Sequence, residues 1–210
     1  MPTAQNLYLF FIASLLLNLT PGNDMLYVAS RSISQGIRGG VVSALGVFAG
    51  CFVHISAAVL GLSIIISKSA YLFQLIKFAG AGYLIYLGIR AIISKPSASQ
   101  IDEHIAKTNY WKLFKQGAIT NALNPKVAVF FLSFLPQFID AASPYFKLQL
   151  FTLGLWFAVQ GTLVLIIVAC IFGKTKDFFE RNPKVWRVQE KITGLVLIGL
   201  GIKIALSTKK

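Results

Sequence analysis

Long hydrophobic stretches, separated by short polar segments, make up most of the chain. Residues 1–23, 39–67 and 148–173 contain no charged residue at all. A helix that crosses a bilayer needs about 20 consecutive, mostly apolar residues. The pattern therefore predicts an all-α polytopic membrane protein with six transmembrane helices, at about 6–28, 41–66, 71–92, 115–139, 148–172 and 191–207.

The segments between these helices are too short to fold by themselves. We therefore expect residues 1–210 to form a single transmembrane domain. The first basic residue is Arg31, so the N-terminal hydrophobic stretch lacks the positively charged start of a cleaved signal peptide. It is expected to remain in the protein as the first helix.

Composition supports the membrane interpretation. Hydrophobic residues make up 56% of the chain and charged residues only 13%, about half the share that is typical of soluble domains. The net charge of +13 has the sign of a nucleic-acid-binding protein, but such proteins are far more polar, and no nucleic acid is expected as a partner. The apolar content excludes intrinsic disorder, and two cysteines are too few for a disulfide framework or a cysteine zinc cluster.

The distribution of the basic residues predicts the orientation. Thirteen of the twenty lysines and arginines lie in or beside the segments that connect helices one to two, three to four and five to six, and four lie on the opposite side. Because basic loops stay in the cytoplasm, both termini are predicted to be periplasmic. These charges therefore indicate topology, and lipid contacts at most, rather than a ligand site.

The two halves of the chain resemble each other. Thr20-Pro21 lies late in the first predicted helix, and Asn124-Pro125 lies within the fourth, with the two prolines 104 residues apart. The third and sixth predicted helices share a similar ending. We therefore predict two three-helix repeats joined by a cytoplasmic linker, at about 1–93, 115–210 and 94–114 respectively. Three helices per half invert the second repeat relative to the first, as in many secondary transporters with a site at the midplane.

Both dipeptides carry the chemistry of a helix start within a hydrophobic segment. Proline breaks a helix interior but is favoured at the first position of a helix, and threonine and asparagine are good N-caps. Each dipeptide is therefore predicted to end one half-helix and to cap the next. The new N-terminus has unpaired N–H groups with a partial positive charge, for which a substrate carboxylate is a natural partner.

Polar residues cluster at these breaks. The candidate substrate-binding or coupling residues are Asn18, Thr20, Pro21, Gly22, Asn23, Asp24, Asn121, Asn124, Pro125 and Lys126. Ionisable groups within a membrane are costly and usually face a cavity or a partner. Asp24 is a candidate for holding a substrate ammonium, for carrying a coupled proton or for pairing with Lys126. Alternatively, Asp24 only complements the half-helix N-terminus or lies at the cytoplasmic edge, and Lys126 snorkels to the interface.

Other residues favour packing roles. His54 is a candidate for a proton relay but is more typical of a hydrogen-bonded packing residue, and Gln160 either lines the path or bonds between helices. Gly46 and Gly50 are expected to allow close helix contact. The chain contains no phosphate-binding loop, zinc-protease or nucleophile-elbow motif, so we expect neither an enzyme nor a bound metal or cofactor.

Several segments resemble signatures of the LysE/RhtB amino-acid exporter family. Residues 17–28, Leu-Asn-Leu-Thr-Pro-Gly-Asn-Asp-Met-Leu-Tyr-Val, are similar to its first-helix signature. Residues 120–126 and 130–138 are similar to its fourth-helix signature, and further similar segments extend the match along nearly the whole chain. One departure is Asn23, where many members of the family have a second proline.

The resemblance implies a bacterial inner-membrane carrier that exports amino acids, is driven by the proton motive force and needs no cofactor. We expect neutral substrates such as threonine, homoserine or leucine, with protons and the lipid bilayer as further partners and homo-oligomers left open. In the proposed alternating-access mechanism, the substrate carboxylate meets amides near Gly22 and either Lys126 or Asn124, and the ammonium meets Asp24. The alternative is a cation or metal efflux carrier of related architecture, which would need several converging carboxylates, histidines or thiols.

Overall fold

The described part of the chain is entirely helical apart from short turns. The computed structural model describes residues 4–62, 70–93, 109–140 and 143–174, together with 191–192, 194–195, 197–199, 201–202 and 205–206. The helices are α1 (Ala4–Leu19), α2 (Asn23–Ala57), α3 (Ala70–Ile93), α4 (Tyr110–Ala122), α5 (Pro125–Val129) and α6 (Phe146–Lys174). All of the described residues beyond 190 are helical as well. The predicted all-α class is therefore confirmed for this part of the chain.

Helix α2 reverses direction at Gly36. This glycine has φ 74° and ψ 179°, a conformation that is essentially restricted to glycine. A Cβ atom on Gly40 would collide with the side chain of Ser32, although a straight helix would separate these residues by about 12 Å. Residues 23–35 (α2a) therefore pack back against residues 37–57 (α2b) as a helical hairpin.

This hairpin corrects the predicted end of the first hydrophobic helix. The sequence pattern predicts a connecting loop at about residues 29–40, but the structure continues α2a through this segment and turns at a single residue. Small residues make the tight turn feasible: Gly39 and Gly40 let the two arms approach, and the Ser32 side chain bonds within α2a, to the carbonyl of Val28. Polar residues at this end do not prevent helix formation, because propensity is weaker than the packing of the two arms.

The second hydrophobic segment with a proline is bent rather than straight. Helix α4 begins at Tyr110, five residues before the predicted start, because the Asn109 side chain caps it by accepting from Lys112 N at 3.0 Å. The chain bends by 45° between Tyr110–Ala122 and Pro125–Phe138. Beyond α5 it continues as a π-helix, Phe130–Phe134, and a 3₁₀ helix, Leu135–Phe138, where Pro136 has no N–H for the α-helical bond.

Glycines set the closest helix contacts, as expected for Gly46 and Gly50. A Cβ atom on Gly46 would collide with the carbonyl oxygen of Phe114, and one on Gly50 with that of Ala118. Helices α2b and α4 therefore touch through their backbones. Glycine also allows α3 to pack against the described residues beyond 190, because Gly88 faces the carbonyl oxygen of Gly194.

Two apolar clusters fill the bundle. The larger cluster contains phenylalanines from α1, from the helical turns that follow α5 (Phe130–Phe134 and Leu135–Phe138) and from α6. Within it, the Phe130 and Phe157 rings stack with their centres 4.2 Å apart. The smaller cluster joins the two arms of the hairpin to α6 and includes Val28, Val47 and Val168. The breaks at residues 20–22 and 123–124 adjoin these clusters, because Leu17 and Val127 belong to the larger cluster and Met25 to the smaller one.

Two described helices are long and apolar enough to cross a membrane, Asn23–Gly61 and Phe146–Lys174, and the bent pair Tyr110–Ala122 with Pro125–Phe138 makes a third if it is one span. The first of these contains the turn at Gly36. Most of the predicted linker at 94–114 and of the predicted loop before residue 191 lies outside the described residues.

Candidate functional site

The first break separates α1 from α2a at residues 20–22. The N-cap of α2a is Gly22, with an extended backbone and no side-chain cap, so the prediction that Thr20 caps the second half-helix is wrong. The Thr20 hydroxyl instead donates to the carbonyl of Leu16 at 2.6 Å and thereby belongs to the end of α1. Pro21 consequently lies in the linker and not at the first helical position.

The second break follows the predicted pattern. Asn124 is the N-cap of α5, its side chain accepts a hydrogen bond from Lys126 N at 3.0 Å, and Pro125 occupies the start of the helix. Proline is suited to this position because its φ is already helical and the missing N–H would have no partner there. The second half-helix is therefore capped by its own sequence.

The two breaks are joined by hydrogen bonds between their side chains and backbones. Asp24, in the first turn of α2a, accepts at Oδ2 from Asn121 Nδ2 at 2.8 Å and from Asn124 Nδ2 at 2.9 Å. In the opposite direction, Lys126 Nζ donates to the carbonyls of Thr20 at 2.9 Å and Leu17 at 3.3 Å. The acid of the first break is thus held by the second break, and the amine of the second by the first.

This arrangement favours each charge electrostatically. The last carbonyls of α1 carry a partial negative charge, which stabilises the Lys126 ammonium. The Asp24 carboxylate lies at the positive N-terminal end of α2a and accepts from two amides. Lys126 donates to backbone carbonyls rather than to Asp24, so the two charges remain separate groups rather than an ion pair.

Some polar groups at the centre of the site can form further hydrogen bonds. Within the described residues, Asp24 Oδ1 and Asn121 Oδ1 are buried and accept no hydrogen bond. An ammonium has three N–H donors, and Lys126 uses two of them on backbone carbonyls. Buried polar atoms without a partner are costly, so these groups are suited to a polar ligand.

A small cavity opens at these groups. Most of its polar lining comes from the two breaks, and its apolar lining includes Val47 and Phe48 of α2b and Phe157 and Leu165 of α6. The cavity therefore combines one anionic group, one cationic group and an apolar wall.

The structure brings together most, but not all, of the candidate residues. Five line the cavity: Asn18, Thr20, Asp24, Asn121 and Lys126. Asn124 lies behind them and bonds Asp24, and Gly22 lies so close to Lys126 that an added Cβ would be 3.1 Å from its Nζ. Asn23 and Pro125 are exposed, and Pro21 does not line the cavity, so these three belong to the breaks but not to the cavity.

Helix α6 contributes residues that were not among the candidates. Phe157, Ala158, Gly161, Thr162 and Leu165 line the cavity with the spacing of one helix face. Gly161 lets Asn18 lie against this face, because an added Cβ would be 2.8 Å from Asn18 Oδ1. The spacing of these small and apolar residues is the signal that identifies the face, but no polar break marks it in the sequence.

Three further residues support or line the site. His54 Nε2 donates to the Asn121 carbonyl at 2.8 Å, and its ring stacks on Phe131, which fits the expected packing role. Gln160 accepts from Asn18 Nδ2 at 3.2 Å and thus bonds between helices. Cys51 is buried and lines the cavity. No group of three or more His, Cys, Asp or Glu residues that could hold a metal ion occurs in the described part of the chain.

Two broken helices that meet at a charged cavity inside an apolar bundle are typical of membrane transporters. The comparison with known families agrees with this class. The family model of the LysE type translocator matches residues 15–208, and the chain therefore belongs to the LysE family of membrane proteins.

Individual relatives cover nearly the whole chain. It is 34% identical over 197 residues to the "Uncharacterized membrane protein YrhP" of Bacillus subtilis (strain 168), which covers 90% of this chain and 93% of that protein. It is 25% identical over 200 residues to the "Leucine efflux protein" of Salmonella choleraesuis (strain SC-B67), which covers 95% of this chain and 94% of that protein. The protein of the same name from Salmonella typhimurium shows the same identity and coverage. No solved structure matches the chain.

Proposed function

We propose that this protein is a secondary transporter that exports neutral amino acids, such as leucine, threonine and homoserine, across the bacterial inner membrane in exchange for protons. Membership of the LysE family and the similarity to proteins named for leucine efflux support an amino-acid exporter. The choice of substrate and of driving force rests on the site itself.

The observation that carries the proposal is the pair of unused polar groups in one cavity. Asp24 has a free carboxylate oxygen, and Lys126 has one N–H that the carbonyls of α1 do not use. A free amino acid is a zwitterion, whose ammonium matches the first group and whose carboxylate matches the second. Binding in this orientation satisfies both charges of the ligand and both protein groups.

The cavity wall favours a neutral side chain. The remaining lining residues are mostly apolar and include Val47 and Phe48 of α2b and Phe157 and Leu165 of α6. An aliphatic side chain gains about 25 cal/mol for each Å² that it buries against such a wall. A second ammonium, as in lysine, would have to give up its hydration without a second carboxylate among the lining residues. We therefore infer a preference for neutral over basic amino acids.

Proton coupling is assigned to Asp24. Protonation of its carboxylate removes the negative charge that holds the substrate ammonium, so a proton and the ammonium compete for the same group. In alternating access, the substrate binds from the cytoplasm and leaves to the periplasm, and a proton then occupies Asp24 during the return. Because the proton and the ammonium exclude each other at Asp24, each cycle exports one amino acid and imports one proton.

We also propose an arrangement of the helices in the membrane. It comprises a single transmembrane domain of six helices, arranged as two inverted repeats with breaks in helices one and four and with both termini in the periplasm. The two breaks support this arrangement, because each lies near the middle of an apolar segment and faces the other.

Transport into inside-out membrane vesicles tests the proposal. In such vesicles the cytoplasmic face is outside, so export is measured as uptake. We expect labelled leucine, threonine or homoserine to accumulate when the lumen is acidic, and a protonophore to abolish this accumulation. Uptake of none of these amino acids, or uptake that a protonophore leaves unchanged, would contradict the proposal. Uptake of a divalent metal ion instead would favour the cation-carrier alternative.

A further inference from the structure

A second polar group with unused hydrogen-bonding capacity lies on the same helix as Asp24. Arg31 and Gln35 follow Asp24 by seven and eleven residues on α2a. At about 100° per residue these three side chains share one face of the helix, and Arg31 lies about 10 Å further along the axis. This face leads from the cavity to the turn at Gly36.

The environment of Arg31 contains neutral partners. Its Nη2 donates to Gln116 Oε1 at a long 3.4 Å, and its guanidinium carbon lies 5.5 Å from the centre of the Tyr27 ring. Tyr27 is itself fixed, because its hydroxyl donates to the Leu113 carbonyl at 2.7 Å. Arg31 Nε is buried and has no partner among the described residues. A guanidinium is always charged and presents a planar pair of donors that matches a carboxylate.

Gln35 supplies the complementary group. Its Oε1 is also buried and without a partner in the described part of the chain. Gln35 is one helical turn beyond Arg31, so the two side chains are neighbours on the helix surface. The unpaired donor is Arg31 Nε and the unpaired acceptor is Gln35 Oε1. Together they match the carboxylate and the ammonium of a free amino acid, the same two charges that the central cavity matches with Lys126 and Asp24.

We propose that Arg31 and Gln35 form a second, weaker binding site for the zwitterionic head of the exported amino acid, located between the cytoplasm and the central cavity. The substrate carboxylate binds Arg31 and its ammonium binds Gln35. The amino acid then moves about two helical turns along α2a to Lys126 and Asp24. This inference rests on the proposed function, because it takes the exported amino acid as the ligand.

Kinetics in inside-out vesicles separate an entry site from a structural role. An entry site raises the rate of capture, so Arg31→Gln is expected to raise the KM for leucine about tenfold and to leave kcat within about twofold. Arg31→Lys keeps the charge but loses the paired donors, and an intermediate KM is expected. The matched control is Arg38→Gln, which removes the same charge from an exposed side chain two residues beyond the turn and is expected to change KM less than twofold.

Substrate analogues identify the group that Arg31 binds. Leucinamide lacks the carboxylate, so its inhibition constant is expected to be the same for the wild type and Arg31→Gln. An equal loss of affinity for leucine and leucinamide, or a fall in kcat with KM unchanged, would show that Arg31 only stabilises the helix, for example through Gln35. Either result would overturn the proposal.

Binding to purified protein in non-ionic detergent excludes a lipid as the ligand. We expect Arg31→Gln to weaken leucine binding in the absence of lipid. If Arg31→Gln binds leucine normally in detergent and loses activity only in membranes with anionic lipid, Arg31 binds a lipid headgroup. That result would overturn the inference. If wild-type protein transports leucine and Arg31→Gln behaves like Arg38→Gln, this inference alone fails. If wild-type protein transports no amino acid, the proposed function fails and this inference fails with it.

Discussion

The two breaks in the apolar helices differ in how their polar groups are satisfied. The second break is capped by its own Asn124 and starts its helix with Pro125. The first break has only Gly22 at the cap position and no side-chain cap. Its exposed carbonyls at the end of α1 are instead satisfied by Lys126, which belongs to the second break. The second break therefore supplies its own helix cap, whereas the first break depends on Lys126 of the second break to bond its carbonyls.

This difference lets two similar breaks support asymmetric chemistry. Both breaks put helix ends inside an apolar bundle, but the acid is on one and the amine is on the other. A zwitterion needs two opposite charges at a fixed separation, which two identical breaks cannot provide. The missing side chain at Gly22 also leaves room for the Lys126 side chain, since an added Cβ would lie 3.1 Å from Nζ.

The largest effect is expected from removing the acid of the first break. Asp24→Asn keeps the shape of the side chain but removes the charge that is proposed to bind the substrate ammonium and to carry the proton. Export is expected to fall about a hundredfold or more, which corresponds to about 2.7 kcal/mol, and the residual transport is expected to lose its dependence on the proton gradient.

The matched control for this variant is Asn23→Ala, because Asn23 precedes Asp24 on the same helix turn but is exposed. It is expected to transport at close to the wild-type rate. Wild-type export and pH dependence in Asp24→Asn would exclude Asp24 as the coupling group.

A polar side chain at each break is expected to contribute to stability by a different amount. Asn124→Ala loses the cap of α5 and a hydrogen bond to the Asp24 carboxylate, and we expect the free energy of unfolding to fall by about 3 kcal/mol. Thr20→Val loses only the hydroxyl bond to Leu16, whose carbonyl still accepts from Thr20 N at 3.1 Å, so a loss of about 0.5 kcal/mol is expected. Denaturation in detergent micelles measures both. Equal losses would show that the two breaks are supported in the same way.

Two glycines, one at the first break and one at the turn of α2, are expected to differ in their tolerance of a side chain. Gly36→Ala places a side chain at φ 74° and is expected to destabilise the protein by about 2 kcal/mol, although no atom lies within 4 Å of the added Cβ. Gly22 has φ −167°, which any residue adopts, and its neighbour is the flexible end of Lys126. Gly22→Ala is therefore expected to cost less than about 1 kcal/mol, as measured by the same denaturation experiment. A larger loss for Gly22→Ala than for Gly36→Ala would contradict this assignment of the turn.

The sequence predicts the breaks well because proline and asparagine act locally. Asn124-Pro125 caps its helix through bonds within two residues, so the cap can be inferred from the dipeptide alone. The same inference is wrong at Thr20, since its hydroxyl has a second choice, the carbonyl four residues earlier. Which of the two bonds forms depends on the direction in which the chain leaves α1, and a dipeptide does not contain that information.

Other features depend on contacts between distant residues. The hydropathy pattern predicts a connection at about residues 29–40 but not a turn at the single residue Gly36, because polar residues there are compatible with either a loop or a packed helix end. The cavity face of α6 has no charged or proline residue to mark it, and it becomes a lining only when Gly161 packs against Asn18. Pairing with Lys126 is one of the roles considered for Asp24; both residues line the cavity, but each bonds the opposite break instead.

The central claim is that Asp24 binds the substrate ammonium while Lys126 binds its carboxylate. Competition experiments with purified protein test this claim through three ligands: leucine, leucinamide, which lacks the carboxylate, and 4-methylpentanoate, which lacks the ammonium. For the wild type, leucine is expected to bind more tightly than either analogue.

The two variants are expected to lose opposite parts of this selectivity. Asp24→Asn should no longer prefer leucine over 4-methylpentanoate, while its preference over leucinamide remains. Lys126→Gln should no longer prefer leucine over leucinamide, while its preference over 4-methylpentanoate remains. If both variants instead weaken all three ligands by the same factor, Asp24 and Lys126 only hold the breaks together and do not bind the two charges of the substrate.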